Sequence, residues 1–282
     1  MKKVIITVAI LFACLGCSPP EQEMASKGIH RIVSLAPAIT ETLYALGAGG
    51  QIVGVTTYCN YPPEALRLPK VGDFAKLDFE KIIHLNPDIV ITTTDGSHKE
   101  TIEKLKSFGI STLSVKSKSF NEVLESISLI GASTGKAANA EKLVARMKKG
   151  WAFKGEAAAK KPSIVLLYGI NPLVAAGEGS LGDEMIRQAG CTNIFGKSDR
   201  SYATTDHETI ISLAPDIIIQ ATMGSESNAQ ARDYWGKWSA IPAVANNRLY
   251  VLDSDLVTRP GPRIVEGFRL ITNAAWGKEE KE

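Results

Sequence analysis

Histidine and cysteine are scarce, four of each in 282 residues. Cys14 and Cys17 lie in the leading segment, so only Cys59 and Cys191 remain for the folded part. One bridge between them is possible, but a disulfide framework is excluded and the fold must be held by burial. None of His30, His84, His98 and His207 is spaced against another histidine or a cysteine as zinc or manganese ligands would be. There is no G-x-S-x-G, and no residue is assigned a catalytic or metal-ligating role. An excess of one charge is lacking too, since 32 basic and 30 acidic residues leave a formal net charge of +2. That balance carries no polybasic nucleic-acid surface. Past the leader, no apolar run is long enough to cross a bilayer.

What is present begins with a leader. Met1-Lys2-Lys3 precedes an apolar run from Val4 to Leu15, and Leu15-Gly16-Cys17-Ser18 follows. This pattern predicts a lipoprotein signal peptide over 1–17, lipidation at Cys17 and a polar tether over 18–29. Cys14, with Leu11 three residues before it, is the alternative lipid site. The expected location is the periplasm or cell surface, attached to the membrane by the lipid.

The remainder alternates strands with helices. Short β runs at Arg31–Leu35, Ile52–Val55, Asp88–Thr92 and Thr112–Val115 are separated by helical patterns, and Ser163–Tyr168 starts a second such unit. Parallel sheets covered by helices are expected. An N-terminal α/β lobe is placed at 30–131, a linker helix at 132–160 and a C-terminal α/β lobe at 161–278. Leu77-Asp78-Phe79-Glu80-Lys81-Ile82-Ile83-His84-Leu85-Asn86-Pro87-Asp88-Ile89-Val90-Ile91 returns as Thr205-Asp206-His207-Glu208-Thr209-Ile210-Ile211-Ser212-Leu213-Ala214-Pro215-Asp216-Ile217-Ile218-Ile219. More than half the paired positions are identical, which points to two related lobes with a cleft between them.

Gly177-Glu178-Gly179-Ser180-Leu181-Gly182 matches the dinucleotide-binding fingerprint. In a secreted chain it reads better as a tight strand-to-helix turn. A secreted enzyme using this loop is the rival from another class. Tyr58, Tyr61, Phe74, Tyr168 and Tyr202 fall at strand ends or in loops, where flat faces suit a large planar ligand. Glu80 and Glu208 occupy matching places in the repeat, off the apolar face made by Ile82-Ile83 and Ile210-Ile211. Thr205 with Glu208 fits a capping box, the bland reading of the acid.

Several stretches then match in order. They are Arg31-Ile32-Val33-Ser34-Leu35-Ala36-Pro37-Ala38-Ile39-Thr40-Glu41 and Val53-Gly54-Val55-Thr56-Thr57-Tyr58-Cys59-Asn60-Tyr61-Pro62-Pro63. Tyr168-Gly169-Ile170-Asn171-Pro172, Asn193-Ile194-Phe195 and Arg259-Pro260-Gly261-Pro262-Arg263 continue the series. From about Arg31 to Ala275 the chain resembles the ABC-importer substrate-binding proteins of the helical-backbone class, closest to the cobalamin-binding branch. The resemblance implies two Rossmann-like lobes with central parallel sheets, bridged by one long rigid helix. It implies a monomer without enzymatic activity that hands its ligand to an ABC permease homodimer with ATPase subunits. Tyr58, Phe74 and Tyr202 match the aromatic lining, Leu256 to Pro260 (with Arg259) a ligand-contacting segment, and Glu80 and Glu208 the acids that dock on the permease. Leu256 and Val257 stand where that branch has aromatics, and Ala189 and Ile271 where one cobalamin binder has a disulfide. The branch implies a corrinoid ligand, cobalamin or a relative; these departures count against cobalamin itself and leave haem or a ferric chelate open, and no resident cofactor is implied.

Overall fold

The computed structural model describes residues 28–73, 75–94, 99–152, 161–222 and 228–277. The leader with Cys14 and Cys17, and also Phe74 and His98, lie outside the described residues. The first unit runs β1 (Ile32–Ser34), α1 (Pro37–Ala45), β2 (Ile52–Val55), α2 (Phe79–His84), β3 (Ile89–Thr93), α3 (Lys99–Ser107), β4 (Ser111–Val115). Its sheet has the order β2-β1-β3-β4 and every pair is parallel. Side chains alternate across a strand, so the two faces fill two cores. Ile32, Ile89 and Ile91 pack with Ile39 and Leu43 of α1. Val33 and Val90 pack on the other face with Val71, Ile82 and Leu105. Burial on both faces is why these strands read as unbroken apolar runs.

Next come α4 (Phe120–Ser133) and α5 (Ala137–Trp151). The stretch expected as one linker helix over 132–160 is thus shared: α4 ends at Ser133, α5 ends at Trp151, and 153–160 lie outside the described residues. Gly131 and Gly150, weak points by helix propensity, mark close approaches instead. A Cβ at Gly131 would collide with Ala140, and one at Gly150 with Val265.

The second unit runs β5 (Ser163–Ile170), β6 (Leu173–Ala176), α6 (Leu181–Gln188), β7 (Thr192–Asn193), β8 (Tyr202–Thr205), α7 (His207–Leu213), β9 (Ile217–Thr222). It ends with α8 (Asn228–Trp235), α9 (Pro242–Ala245), β10 (Leu249–Asp253), α10 (Ser254–Thr258), α11 (Ile264–Trp276). Its sheet, β10-β9-β5-β6-β8 with β7 on β5, is mixed rather than parallel throughout. β6 is antiparallel to β5 and β8. Only Asn171-Pro172 separates β5 from β6, and two residues suffice for a hairpin but never for a parallel crossover.

The internal repeat is structural as well as textual. Asp78 caps α2 by accepting from the Lys81 N–H, and Asp206 caps α7 by accepting from that of Thr209. Asn86 and Ala214, at equivalent positions, both take left-handed backbone, with φ of 45° and 46°. The Asp88 carboxylate accepts from the His30 and Arg31 N–H groups at the start of β1, both at 2.8 Å. Asp216 does the same at the start of β5, accepting from the N–H and hydroxyl of Ser163 at 2.9 and 2.8 Å. The two units share one core through a ring stack. Phe120 of α4 lies 4.0 Å from Trp151 of α5, and Trp151 lies 4.7 Å from Phe268 of α11. Cys59 and Cys191 are both buried and unbridged.

Candidate ligand-binding cleft

A cavity of about 410 Å³ lies between the lobes. Thr93, at the end of β3, and Ser117 and Lys118, just after β4, form the wall of the first lobe. These positions follow the carboxyl ends of parallel strands, as expected for an open α/β sheet. The second lobe contributes differently. Its wall is the β6–α6 turn (Gly179, Ser180, Leu181), the start of the edge strand β8 (Ser201, Tyr202), and Thr258 with Pro260 after α10. The antiparallel pairing of β8 with β6 brings the amino end of β8 beside the carboxyl end of β6, since Tyr202 pairs with Ala176. A second hollow of about 370 Å³ shares Lys118, Gly179 and Ser180 and extends to Glu184 and Arg187.

The glycine-rich turn is spent on its own helix. Ser180 Oγ accepts from the Asp183 N–H at 3.1 Å and donates to the Gly177 carbonyl at 2.8 Å. The buried Asp183 carboxylate accepts from Gly179 N–H, Asn193 Nδ2 and Arg187 Nε at 3.2, 2.9 and 2.9 Å. A Cβ at Gly177 would strike the Arg200 carbonyl, and one at Gly182 the Tyr168 hydroxyl. These glycines serve packing, and the turn doubles as cleft wall, which the sequence reading did not foresee.

Tyr202 lies on the wall with 58% of its surface exposed, and Tyr168 supports it from beneath. Burial, with Tyr202 beside it, pushes the Tyr168 hydroxyl well above the ordinary tyrosine range. Tyr58 is 65% exposed on the loop after β2, and its carbonyl accepts from Arg259 Nη2 at 3.3 Å. Leu256 is buried, and its carbonyl lies so close to Gly267 that a Cβ there would strike it. It is a packing residue between α10 and α11, and the residues of its segment that line the cavity are Thr258 and Pro260.

Arg259 is occupied across the lobes. Nη1 donates to Glu41 Oε1 at 3.1 Å and Asn60 Oδ1 at 2.6 Å, and Nη2 also lies 2.8 Å from Asp255 Oδ1. Glu41, on α1 and only 3% exposed, is gripped by Arg263 as well, Nε to Oε2 and Nη2 to Oε1, each at 2.8 Å. That two-pronged hydrogen bonding raises the Arg263 pKa further, and the Tyr61 ring lies 3.9 Å from its guanidinium carbon. Glu41, Asn60 and Arg263 were not singled out from sequence. The available signal was one charged residue inside the otherwise uncharged helix pattern of α1, since a buried carboxylate requires a partner.

Glu80 and Glu208 are exposed at the second positions of α2 and α7. The capping-box reading of Thr205 with Glu208 fails, because Asp206 holds the cap. The Thr209 N–H holds the Asp206 carboxyl below the usual carboxylate range. The pair Ile210 and Ile211 packs inward, whereas in the first pair Ile82 is fully buried but Ile83 is 42% exposed. Among the described residues, no cluster of histidine, cysteine, aspartate and glutamate could hold a metal ion. No described helix is long and apolar enough to cross a membrane.

Residues 32–256 match the periplasmic binding protein family, and the chain belongs to that family. It is a solute-binding protein of the kind that serves ABC importers. Over 261 residues it is 34% identical to an uncharacterized ABC transporter substrate-binding lipoprotein, YvrC, of Bacillus subtilis, covering 89% of this chain and 82% of that one. It is 29% identical to the vitamin B12-binding protein of Salmonella paratyphi A, covering 86% and 89%. Among solved structures, the periplasmic heme-binding protein RhuT from Roseiflexus superposes with a TM-score of 0.76 at 26% identity, covering 89% and 99%.

Proposed function

We propose that this protein captures a corrinoid, cobalamin or a close relative, outside the cytoplasm and delivers it to an ABC importer. The observation that carries the reading is the aromatic furniture of an interlobe cleft. Tyr202 presents its ring on the cavity wall with Tyr168 behind it; Tyr58 is not part of that wall, but it is exposed on the first-lobe loop whose carbonyl Arg259 holds. A flat ring buries a macrocycle's face at little entropic cost, and Thr93, Ser117 and Lys118 on the first-lobe wall suit its polar periphery. The vitamin B12-binding relative supports the same choice. Haem is the second reading, favoured by the exposed phenols, because tyrosine oxygen can ligate haem iron. A ferric chelate is the third.

On this reading the exposed pair Glu80 and Glu208 docks on the two like subunits of a permease homodimer that works with ATPase subunits. The protein acts as a monomer held at the membrane through lipid on Cys17. Calorimetric titration with cyanocobalamin, dicyanocobinamide, hemin and a ferric hydroxamate tests the ligand. Tight binding of a corrinoid with none of hemin is the expected result. Tight hemin binding that Tyr58→Phe or Tyr202→Phe abolishes would replace it by the haem reading.

A further inference from the structure

Arginine has five N–H donors. In Arg259 both terminal nitrogens are already shared among Glu41, Asn60, Asp255 and the Tyr58 carbonyl, leaving only Nε. Its side chain is 13% exposed. Glu41 and Asn60 belong to the first lobe, and Asp255 to the second. Arg263 completes the group by holding both Glu41 oxygens. Two acids face two guanidinium groups, so the cluster is neutral within itself and asks for no further ion. Gly261 lies between the two arginines and rests on Ala38 of α1, where a Cβ would come within 3.3 Å of the backbone.

We infer that Glu41, Arg259 and Arg263 form an interlobe clasp that sets the width of the cleft and holds the Tyr58 loop against the Thr258–Pro260 wall. Arg259 is a positioning residue here: it acts through Tyr58 and the cavity wall, and its guanidinium is not available to grip a ligand. Glu41 positions Arg259 in turn. The ring stack through Trp151 joins the lobes in the core, and the clasp joins them beside the cavity. The inference rests on the proposed cleft for its binding consequence, but its conformational consequence needs no ligand.

The test is hydrogen–deuterium exchange on the ligand-free full chain, comparing wild type with Asn60→Ala and Glu41→Gln, alongside cyanocobalamin dissociation rates. Asn60→Ala loosens the clasp without stranding a buried charge, so it serves if Glu41→Gln folds poorly. Amide exchange at Thr56–Tyr61 and Ser254–Arg263 is expected to speed up about tenfold, the factor one hydrogen bond is worth, with β1, β3 and β9 unchanged. Cyanocobalamin should leave faster by a similar factor. Unchanged exchange at both segments, or a uniform rise across both lobes, would overturn the clasp. Arg259→Lys separates a direct ligand role: weaker cyanocobalamin binding with exchange unaltered would place Arg259 on the ligand. If cyanocobalamin does not bind the wild type, the corrinoid reading fails and the exchange result still decides the clasp.

Discussion

The rings of Tyr168 and Tyr202 meet with centroids 5.7 Å apart and planes inclined at 55°. One is part of the second lobe's packing and the other faces the cleft, so their truncations should separate. Tyr202→Ala is expected to weaken binding of the ligand by about 1–3 kcal/mol and leave the melting temperature nearly unmoved. Tyr168→Ala should cost stability on the order of 3 kcal/mol as well as affinity, because it opens a hole beside Gly182. Calorimetry and thermal melts on both variants check this. A destabilised Tyr202→Ala with full affinity would assign that ring to packing alone.

Glu80 and Glu208 carry no capping duty, since Asp78 and Asp206 perform it. The double change Glu80→Ala, Glu208→Ala should therefore alter stability by no more than about 0.5 kcal/mol. Ligand affinity should also be unaltered, while uptake and stimulation of the permease ATPase are lost. Lysine at both positions should be worse, because repulsion is added. Normal uptake by the double variant would end the docking proposal.

The two thiols should be silent in the native protein. Burial pushes the Cys191 pKa up to about 11, and reactivity requires the thiolate. Cys59 is fully buried, its sulfur lying between the Thr40 and Thr56 hydroxyls at 3.2 and 3.1 Å. Iodoacetamide at pH 8 is expected to label neither until the chain is denatured, when both react. Mass spectrometry reads the outcome directly, and rapid native labelling of Cys191 would contradict its burial.

Glu184 predicts a pH dependence. Burial raises its carboxyl pKa, Phe120 N–H (2.8 Å from Oε2) pulls it down, and Asp183 raises it again, with a net rise. A folded pKa above the unfolded one means the folded state holds more protons between the two values. This group's contribution to stability therefore falls as pH rises above about 4.3, the ordinary glutamate value. Glu184→Gln keeps an acceptor for Phe120 and removes the titration. Its melting temperature should match wild type near pH 4 and exceed it at pH 7. Equal midpoints at both pH values would show that the carboxyl is not perturbed.

How much was legible in the chain differs by scale. Local order was written in short-range chemistry. Apolar runs marked the strands, Asp78 and Asp206 stood ready as helix caps, and Pro-Asp turns preceded β3 and β9. The repeat announced two related units because the same local problem, tying a strand's start to an aspartate, is solved twice with Asp88 and Asp216. The hairpin at Asn171-Pro172 was readable too, as two apolar runs two residues apart, but the expectation of parallel sheets obscured it. Pairings across long sequence separations were not legible. Glu41 meets Arg259 and Arg263 more than two hundred positions away, and Tyr58 meets Arg259 through a backbone carbonyl that has no sequence identity to read. Tertiary structure alone decided that Leu256 is core while Thr258 and Pro260 face the cavity, because a short helix presents neighbouring residues to different sides. The sequence by itself determined the elements and their duplication. Which side chains line the cleft, and which hold its two walls together, depended on how the lobes pack.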